Sequence, residues 1–230
     1  MNKRWLKIIR KPKAIMAKYK EKKLLESISG VIHVGANKGQ EAGRYAEHDL
    51  DVLWIEPIPA VFDQLVENTK AFKKQVSVQA LITDVDHQEY TFYVANNNGA
   101  SSSIYQFKEH KEVWPHVKFN ETILLKSITL TTLLEREKID PLKYQALVMD
   151  TQGSEHLVLA GSMPLLKHFK FIKTEVADFE AYLGACQIQG IDDFMRENGF
   201  REYSRKPFGL PTKKGGRYFN IIYLVNSWND

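Results

Sequence analysis

The sequence predicts a doubly wound α/β fold built on a mostly parallel sheet. Short apolar segments alternate along the chain with segments of helical periodicity, which is typical of strands joined by right-handed helical crossovers. Several apolar segments are nearly continuous, as expected of strands buried on both faces of a parallel sheet. The predicted strands cover residues 31–34, 52–55, 76–82, 146–149 and 171–176, followed by two more at 200–204 and 218–225.

The composition is that of one globular domain. The chain has 230 residues, of which 43% are hydrophobic and 26% are charged, and a domain of this size buries enough apolar surface to fold without disulfides. Cys186 is the single cysteine. No internal disulfide can form, which agrees with a reducing, cytoplasmic location.

Helices are predicted between the strands. Pro59 suits the first position of a helix, and apolar side chains recur at helical spacing over residues 62–69. Further helices are expected at 154–159, where Ser154 would cap the first turn, and at 192–198.

Residues 88–130 depart from this alternation and are interpreted as an inserted segment. An alternating strand at 90–94 is followed by a polar turn at 96–99 and by three serines at 101–103, and strand character resumes at 128–130. A second departure is the Gly- and Pro-rich loop 206–217. This loop joins the last two strands and predicts an antiparallel C-terminal hairpin.

Positive charge is concentrated at the N-terminus. Ten Lys/Arg and one Glu give residues 1–25 a net charge of +9, and because the chain carries +4 overall, the remainder carries −5. The sequence therefore predicts a basic helical arm at 1–27 and a domain at 28–230. The arm is interpreted as a solvated helix across the body or as a peripheral contact for anionic lipid. It has no apolar stretch like that of a signal peptide.

The first candidate binding motif follows the first strand. Gly35 and Gly39 lie in a turn that leads from residues 31–34 into a helix. Glycines allow close approach of backbone to a ligand, and a helix N-terminus offers free N–H groups. The spacing is G-x-x-x-G, and not the G-x-G-x-x-G of dinucleotide-binding folds, which argues against a nicotinamide-dependent oxidoreductase.

Carboxylates follow three predicted strands. Glu56 ends the second strand, where a carboxylate can accept hydrogen bonds from ribose hydroxyls. Asp150 and Glu175 follow two later strands, and ligands of open α/β sheets bind at the carboxyl ends of strands. These two residues are candidates for general-base catalysis, for orienting a hydroxyl, for binding a metal, or for capping the helix that begins near Ser154.

The chain resembles the FkbM family of S-adenosylmethionine-dependent methyltransferases. The motifs that carry the resemblance are HVGANKG at 33–39, WIEPIP at 54–59, the serines at 101–103, LTTL at 130–133, MDTQGSE at 149–155 and KTEV at 173–176. The resemblance implies a Rossmann-like, mostly parallel seven-stranded sheet. It also implies S-adenosylmethionine as cofactor and O-methylation of a hydroxyl on a sugar, lipid or polyketide.

By position in these motifs, the resemblance implies roles for individual residues. Glu56 would hold the ribose, and Asp150 would face the methyl-transfer site. Separately, the placement of Asp150 and Glu175 at adjacent strand ends suggests that Glu175 assists Asp150. The remaining predicted cofactor contacts are His33, Gly35, Ala36, Asn37, Gly39, Gln40, Pro57, Ala80 and Leu81.

Two residues depart from the family pattern. His33 stands where many members have Asp, and a neutral imidazole can still donate or accept a hydrogen bond. Gln152 stands where many members have Glu, which removes a charge beside Asp150, and no metal is expected.

Acceptor specificity is expected from the inserted segment and from the loop 206–217, with Ser102, Ser103, Lys213 and Arg217 as candidate contacts. A small-molecule or glycan acceptor is favoured over nucleic acid, because residues 28–230 are net negative and contain no Asn-Pro-Pro motif. The alternatives are the oxidoreductase considered above and a membrane-surface or nucleic-acid-binding module that uses the basic arm.

Overall fold

The computed structural model describes residues 20–228. In chain order, the helices and strands are α1 (20–26), β1 (Gly30–Val34), α2 (Ala42–Glu47), β2 (Asp51–Glu56), α3 (Pro59–Thr69), β3 (Gln75–Gln79), β4 (Leu81–Ile82), β5 (Glu89–Ala95), α4 (His110–Val113), β6 (Phe119–Ile128), α5 (Leu130–Arg136), β7 (Ala146–Met149), α6 (Glu155–Gly161), β8 (Phe171–Ala177), α7 (Ile188–Glu197), β9 (Phe200–Phe208) and β10 (Tyr218–Val225).

Seven strands form the central sheet in the order β3-β2-β1-β7-β8-β10-β9. The pairings from β3 to β8 are all parallel, whereas β10 is antiparallel to both of its neighbours. The predicted fold is therefore confirmed, including the antiparallel C-terminal hairpin. The parallel strands place their carboxyl ends along one edge of the sheet, which is the edge where such folds bind ligands.

Alternate side chains of each strand enter one of two cores. Val31 packs with Leu24 of α1, Tyr45 of α2 and Leu65 of α3, and we call the side of the sheet that these helices cover the α1 face. Ile32 points to the opposite side and joins apolar residues of α5, α6 and α7. Because both faces are covered, the central strands carry the continuous apolar runs seen in the sequence.

Strands β5 and β6 of the inserted segment form a small second sheet with β4, in the order β4-β6-β5. Two elements therefore differ from the sequence prediction. The predicted strand 76–82 is divided at Ala80: β3 belongs to the central sheet and β4 pairs with β6. Strand character does not extend to Leu130, because Thr129 caps α5 by accepting a hydrogen bond from the Thr132 backbone N–H at 3.1 Å.

Most of the predicted basic arm lies outside the described residues. Within them, residues 20–26 form α1, and Leu24 and Leu25 are buried in the core. The expected contact of residues 1–25 with a membrane falls largely outside this part of the chain. No helix within residues 20–228 is long and apolar enough to cross a membrane.

Candidate active site

A cavity of about 210 Å³ opens at the carboxyl ends of β1, β2 and β7, below the inserted segment. It brings together most of the residues that the sequence predicts for the site. The predicted residues in its lining are His33, Gly35, Ala36, Asn37, Gln40, Glu56, Pro57, Ala80, Leu81, Ser102 and Asp150.

Gly35 makes the sharp turn at the end of β1. Its φ is 75°, and a Cβ atom there would lie 2.0 Å from the Asp150 carbonyl oxygen. The Gly35 and Ala36 N–H groups both donate to the Ile55 carbonyl oxygen at 3.0 Å. The turn is thereby fixed between β2 and β7, and only glycine permits Asp150 to approach this closely.

Glu56 is buried at the end of β2, with 4% of its surface exposed. Its Oε2 accepts a hydrogen bond from the Asn37 N–H at 2.9 Å, and its Oε1 accepts one from the Ile58 N–H at 3.0 Å. Burial raises the pKa of Glu56 to about 7, although these two hydrogen bonds oppose the shift. Each oxygen keeps a further lone pair, so the carboxyl group can still accept hydrogen bonds from a ligand in the cavity.

The side of the cavity next to β3 is apolar. Ala80 and Leu81 lie there together with Ile58 and Phe92, and both Ile58 and Phe92 belong to a small apolar cluster between α3 and the second sheet. Sequence reasoning identified Ala80 and Leu81 but not the other two. The alternation of Tyr90, Phe92 and Val94 marks a buried face of β5, but it does not show that this face covers the cavity.

The serines of the inserted segment fix its geometry. Ser102 lines the cavity and accepts a hydrogen bond from the Ala95 N–H at 2.9 Å through its Oγ. Ser103 is fully buried outside the cavity lining and donates from Oγ to the Gln152 carbonyl oxygen at 2.8 Å. Ser102 thus holds the inserted segment together, and Ser103 joins this segment to the loop after β7.

Asp150 lies at the end of β7, where Gln152 orients its carboxyl group. Gln152 Nε2 donates to Asp150 Oδ1 at 2.5 Å, and the Tyr182 hydroxyl donates to Gln152 Oε1 at 2.5 Å. Burial raises the pKa of Asp150 to about 6, and the nearby Glu41 adds to the shift. Asp150 can therefore hold or release a proton near neutral pH, as a general base requires.

Glu175 lies on β8, outside the lining of the main cavity, and contributes to a smaller adjoining cavity that also touches Gln152. Its pKa is raised well above the ordinary value, first by burial and then by the charges of Asp150 and Glu155. The Gln152 side chain opposes this shift. The same amide therefore influences the pKa of both predicted catalytic carboxyls.

Glu155, the first residue of α6, holds the loop that precedes this helix. Its Oε1 and Oε2 accept hydrogen bonds from the Thr151 and Gly153 N–H groups, each at 2.9 Å. The Ser154 hydroxyl instead donates to the Thr151 carbonyl oxygen, so the predicted Ser154 cap is wrong. Burial raises the pKa of Glu155 to about 7.

His33 is buried and neutral. Its ring stacks on Trp54 with centroids 5.0 Å apart, and its Nδ1 lies 3.3 Å from the Tyr45 hydroxyl. Burial lowers the pKa of His33 to about 3, and the positive charge of Lys173 acts in the same direction. The imidazole therefore presents a neutral donor or acceptor to the cavity.

Besides Ser103 and Glu175, three predicted site residues lie outside the lining of the main cavity. Gly39 packs against α3, where a Cβ atom would lie 2.8 Å from Leu65 Cδ1. Lys213 and Arg217 have exposed side chains in the loop before β10 and line neither of these cavities. Within residues 20–228, no cluster of three or more His, Cys, Asp or Glu side chains is arranged to hold a metal ion.

A mostly parallel sheet that ends in an antiparallel hairpin, with a glycine turn after its first strand and a carboxylate after its second, is the architecture of a large class of methyltransferases. Residues 33–202 match the family model described as the methyltransferase FkbM domain. The chain belongs to the FkbM methyltransferase family. This confirms the predicted enzyme class, a methyltransferase dependent on S-adenosylmethionine.

Individual proteins are similar to the chain in sequence or in structure. The chain is 27% identical over 197 residues to the 2-O-methyltransferase NoeI of Sinorhizobium fredii (strain NBRC 101917 / NGR234), covering 81% of this chain and 80% of that protein. Among solved structures, it is similar to magnesium protoporphyrin IX methyltransferase (ChlM) from Synechocystis PCC 6803 with bound SAH. That match has a TM-score of 0.52 and 7% identity, and it covers 93% of this chain and 80% of the other. The METTL16 MTase domain matches with a TM-score of 0.49 and 11% identity, covering 87% of this chain and 61% of the other.

Proposed function

We propose that the chain transfers the methyl group of S-adenosylmethionine to a hydroxyl group on a sugar or another small acceptor. The observation that carries the proposal is the order of features along the sheet edge. In the strand order β3-β2-β1-β7, the edge presents an apolar slot, Glu56, the glycine turn and Asp150. These features match an adenine, a ribose, an amino-acid portion and a methyl-transfer point in the same order.

The cavity supplies suitable groups for each part of the cofactor. Ala80, Leu81 and Phe92 provide apolar contacts for adenine, and the free lone pairs of Glu56 accept hydrogen bonds from the ribose hydroxyls. The predicted methionine contacts beside the glycine turn are polar or backbone groups, namely those of His33, Gly35, Ala36, Asn37 and Gln40. A Cβ atom at Gly35 would displace Asp150, so the turn and the catalytic carboxyl depend on one another.

When bound, S-adenosylmethionine supplies an electrophilic methyl group, and its transfer to oxygen releases S-adenosylhomocysteine and the hydroxyl proton. Asp150 accepts that proton, since its pKa of about 6 leaves it mostly ionised at neutral pH. Glu175 assists by remaining protonated beside it, because its pKa is raised by burial and by Asp150. Positioning and general-base catalysis together are sufficient for such a displacement.

The nature of the acceptor is supported by similarity. The relative from Sinorhizobium fredii is a 2-O-methyltransferase, and a carboxylate base at the end of β7 suits removal of a hydroxyl proton. Ser102 is the predicted acceptor contact that lines the cavity. The acceptor class proposed here is therefore a hydroxyl-bearing saccharide or similar small molecule.

The test is methyl transfer from labelled S-adenosylmethionine to a panel of mono- and oligosaccharides. We expect Asp150→Asn to lower turnover by about 10²–10⁴-fold while S-adenosylhomocysteine binding stays near the native value. Asp63→Asn, at an exposed position of α3, is the matched control and should behave like the native protein. Near-native turnover of Asp150→Asn would refute the assignment of the base.

A further inference from the structure

A further cavity, of about 340 Å³, lies on the α1 face of the sheet. Its floor is formed by β8, β10 and β9, and Glu21 of α1 borders it. The floor residues that matter here are Lys173, Ser204, Lys206 and Asn220. We call this cavity the lysine groove.

Strand register connects the lysine groove to the proposed catalytic carboxyls. Asn220 on β10 pairs with Glu175 on β8 and with Lys206 on β9, so these three residues lie side by side across the sheet. Asp150 follows β7 on the other side of Glu175. Because neighbouring strands lie about 4.8 Å apart, Lys206 is roughly 14 Å from Asp150 along this row. Lys206 therefore lies about three strand spacings from Asp150 along the sheet.

Positive charge is in excess around the groove. Lys173 Nζ and Arg44 Nη1 both pair with Glu21 Oε1, at 2.9 Å and 3.2 Å. Burial makes the pKa of Glu21 higher, but these two cations more than reverse the effect and lower it overall. The single carboxylate is therefore already shared by two cations.

Lys206 remains without a counter-ion. It is half-buried, and within residues 20–228 its ammonium group has no hydrogen bond or ion pair. Burial lowers its pKa, and the charges of Lys173, Arg44 and Lys20 lower it further, although Glu21 opposes them. An unpaired ammonium group held among other cations in a half-closed groove is a favourable place for an anion.

We propose that the lysine groove is a subsite for an anionic group of the methyl acceptor, a carboxylate, sulfate or phosphate held by Lys206 with help from Lys173. This inference rests on the proposed function, since it places the reacting hydroxyl beside Asp150. The anionic group would lie about two to three strand spacings, or roughly 10–14 Å, from that hydroxyl. This separation suits an acidic disaccharide or a phosphorylated glycoside.

The inference replaces the sequence-based expectation for acceptor charge. That expectation placed basic acceptor contacts at Lys213 and Arg217, whose side chains are exposed in the loop. Lys173 and Lys206 carry the same charge but face a formed cavity.

The test measures binding of glucose 6-phosphate, with glucose as the neutral control, by ¹H–¹⁵N chemical-shift mapping in the presence of S-adenosylhomocysteine. We expect glucose 6-phosphate, but not glucose, to shift the amides of residues 204–206, 208 and 218–222. Lys206→Gln should weaken this binding roughly tenfold, as loss of a charge-assisted hydrogen bond predicts. Lys126→Gln, at an exposed strand lysine, should leave it unchanged.

Inorganic phosphate and glucuronate, titrated in parallel, distinguish a general anion site from a phosphate-specific one, and either result supports the subsite. Equal binding by Lys206→Gln and Lys126→Gln, shifts confined to other lysines, or no binding at all would overturn it. Since S-adenosylhomocysteine is titrated in the same samples, failure of the subsite is distinguishable from failure of the proposed function.

Discussion

Replacing Gln152 by glutamate is expected to raise the pKa of Asp150 well above its native value of about 6. In the native protein, Gln152 Nε2 donates a hydrogen bond to Asp150 Oδ1 at 2.5 Å, and this bond lowers the pKa because it favours the ionised form. Gln152→Glu removes the donor and places another negative charge beside Asp150 and Glu175.

The size of the effect follows from the distance. Two unit charges about 4 Å apart repel by about 4 kcal/mol at an effective dielectric constant of about 20, and one pKa unit corresponds to about 1.36 kcal/mol. The pKa of Asp150 can thus rise by at most about three units. Because the neighbouring carboxyls share protons, the expected rise is about one to two units. The introduced side chain is held in place, because the Tyr182 hydroxyl donates to the same position at 2.5 Å.

The assay is ¹³C NMR of the aspartate carboxyl carbons as a function of pH, with the Asp150 signal assigned from its absence in Asp150→Asn. This assay requires no acceptor. Gln152→Leu is the matched control, since it removes the donor without adding charge and should raise the pKa by less than Gln152→Glu. An unchanged or lowered Asp150 pKa in Gln152→Glu would refute the electrostatic account of the site.

Three further outcomes are expected. Gly35→Ala should destabilise the fold by more than about 3 kcal/mol in chemical denaturation, because of its positive φ and the contact with Asp150; an unchanged midpoint would contradict this. The pKa of Glu56 rises from 4.5 to about 7 on folding, so its contribution to stability is present below pH 4.5 and is lost as pH rises through 7, by up to about 3 kcal/mol. Thermal unfolding of Glu56→Gln should therefore vary less between pH 5 and 8 than that of the native protein, and an equal variation would refute the assignment. Phe92→Ala should weaken S-adenosylhomocysteine binding about tenfold in calorimetry through lost apolar contact, and native affinity would exclude Phe92 from the adenine slot.

The sequence was sufficient for the parts of the site that follow strand ends. Gly35, Glu56 and Asp150 each end an apolar run, and parallel strands bring such residues to one edge regardless of the connections between them. This reasoning does not give the order of the central strands, which was expected only from the family resemblance. The division of residues 76–82 at Ala80 was not predictable, because it depends on pairing of β4 with β6, more than forty residues later.

Contacts between distant segments account for the rest. Tyr182 and, from the inserted segment, Ser103 both hydrogen-bond to Gln152. No local sequence pattern indicates either of these long-range contacts. The lysine groove likewise arises from the register of β8, β10 and β9, which brings Lys206 beside Asn220 and Glu175. Lys213 and Arg217 were expected near the site because the antiparallel last strand begins at the active-site edge, but this placement does not determine the direction of a side chain.

The most direct test of the account is calorimetric titration of the native protein and of Glu56→Ala with S-adenosylmethionine, S-adenosylhomocysteine and NAD. Glu67→Ala, at an exposed position of the following helix α3, is the control. We expect the native protein and Glu67→Ala to bind the first two ligands with micromolar affinity and not to bind NAD. In Glu56→Ala, the affinity for the first two ligands should fall roughly 10²-fold, because the ribose hydrogen bonds are missing. Binding of NAD, or native affinity in a folded Glu56→Ala protein, would contradict the central claim that this cavity holds S-adenosylmethionine with its ribose on Glu56.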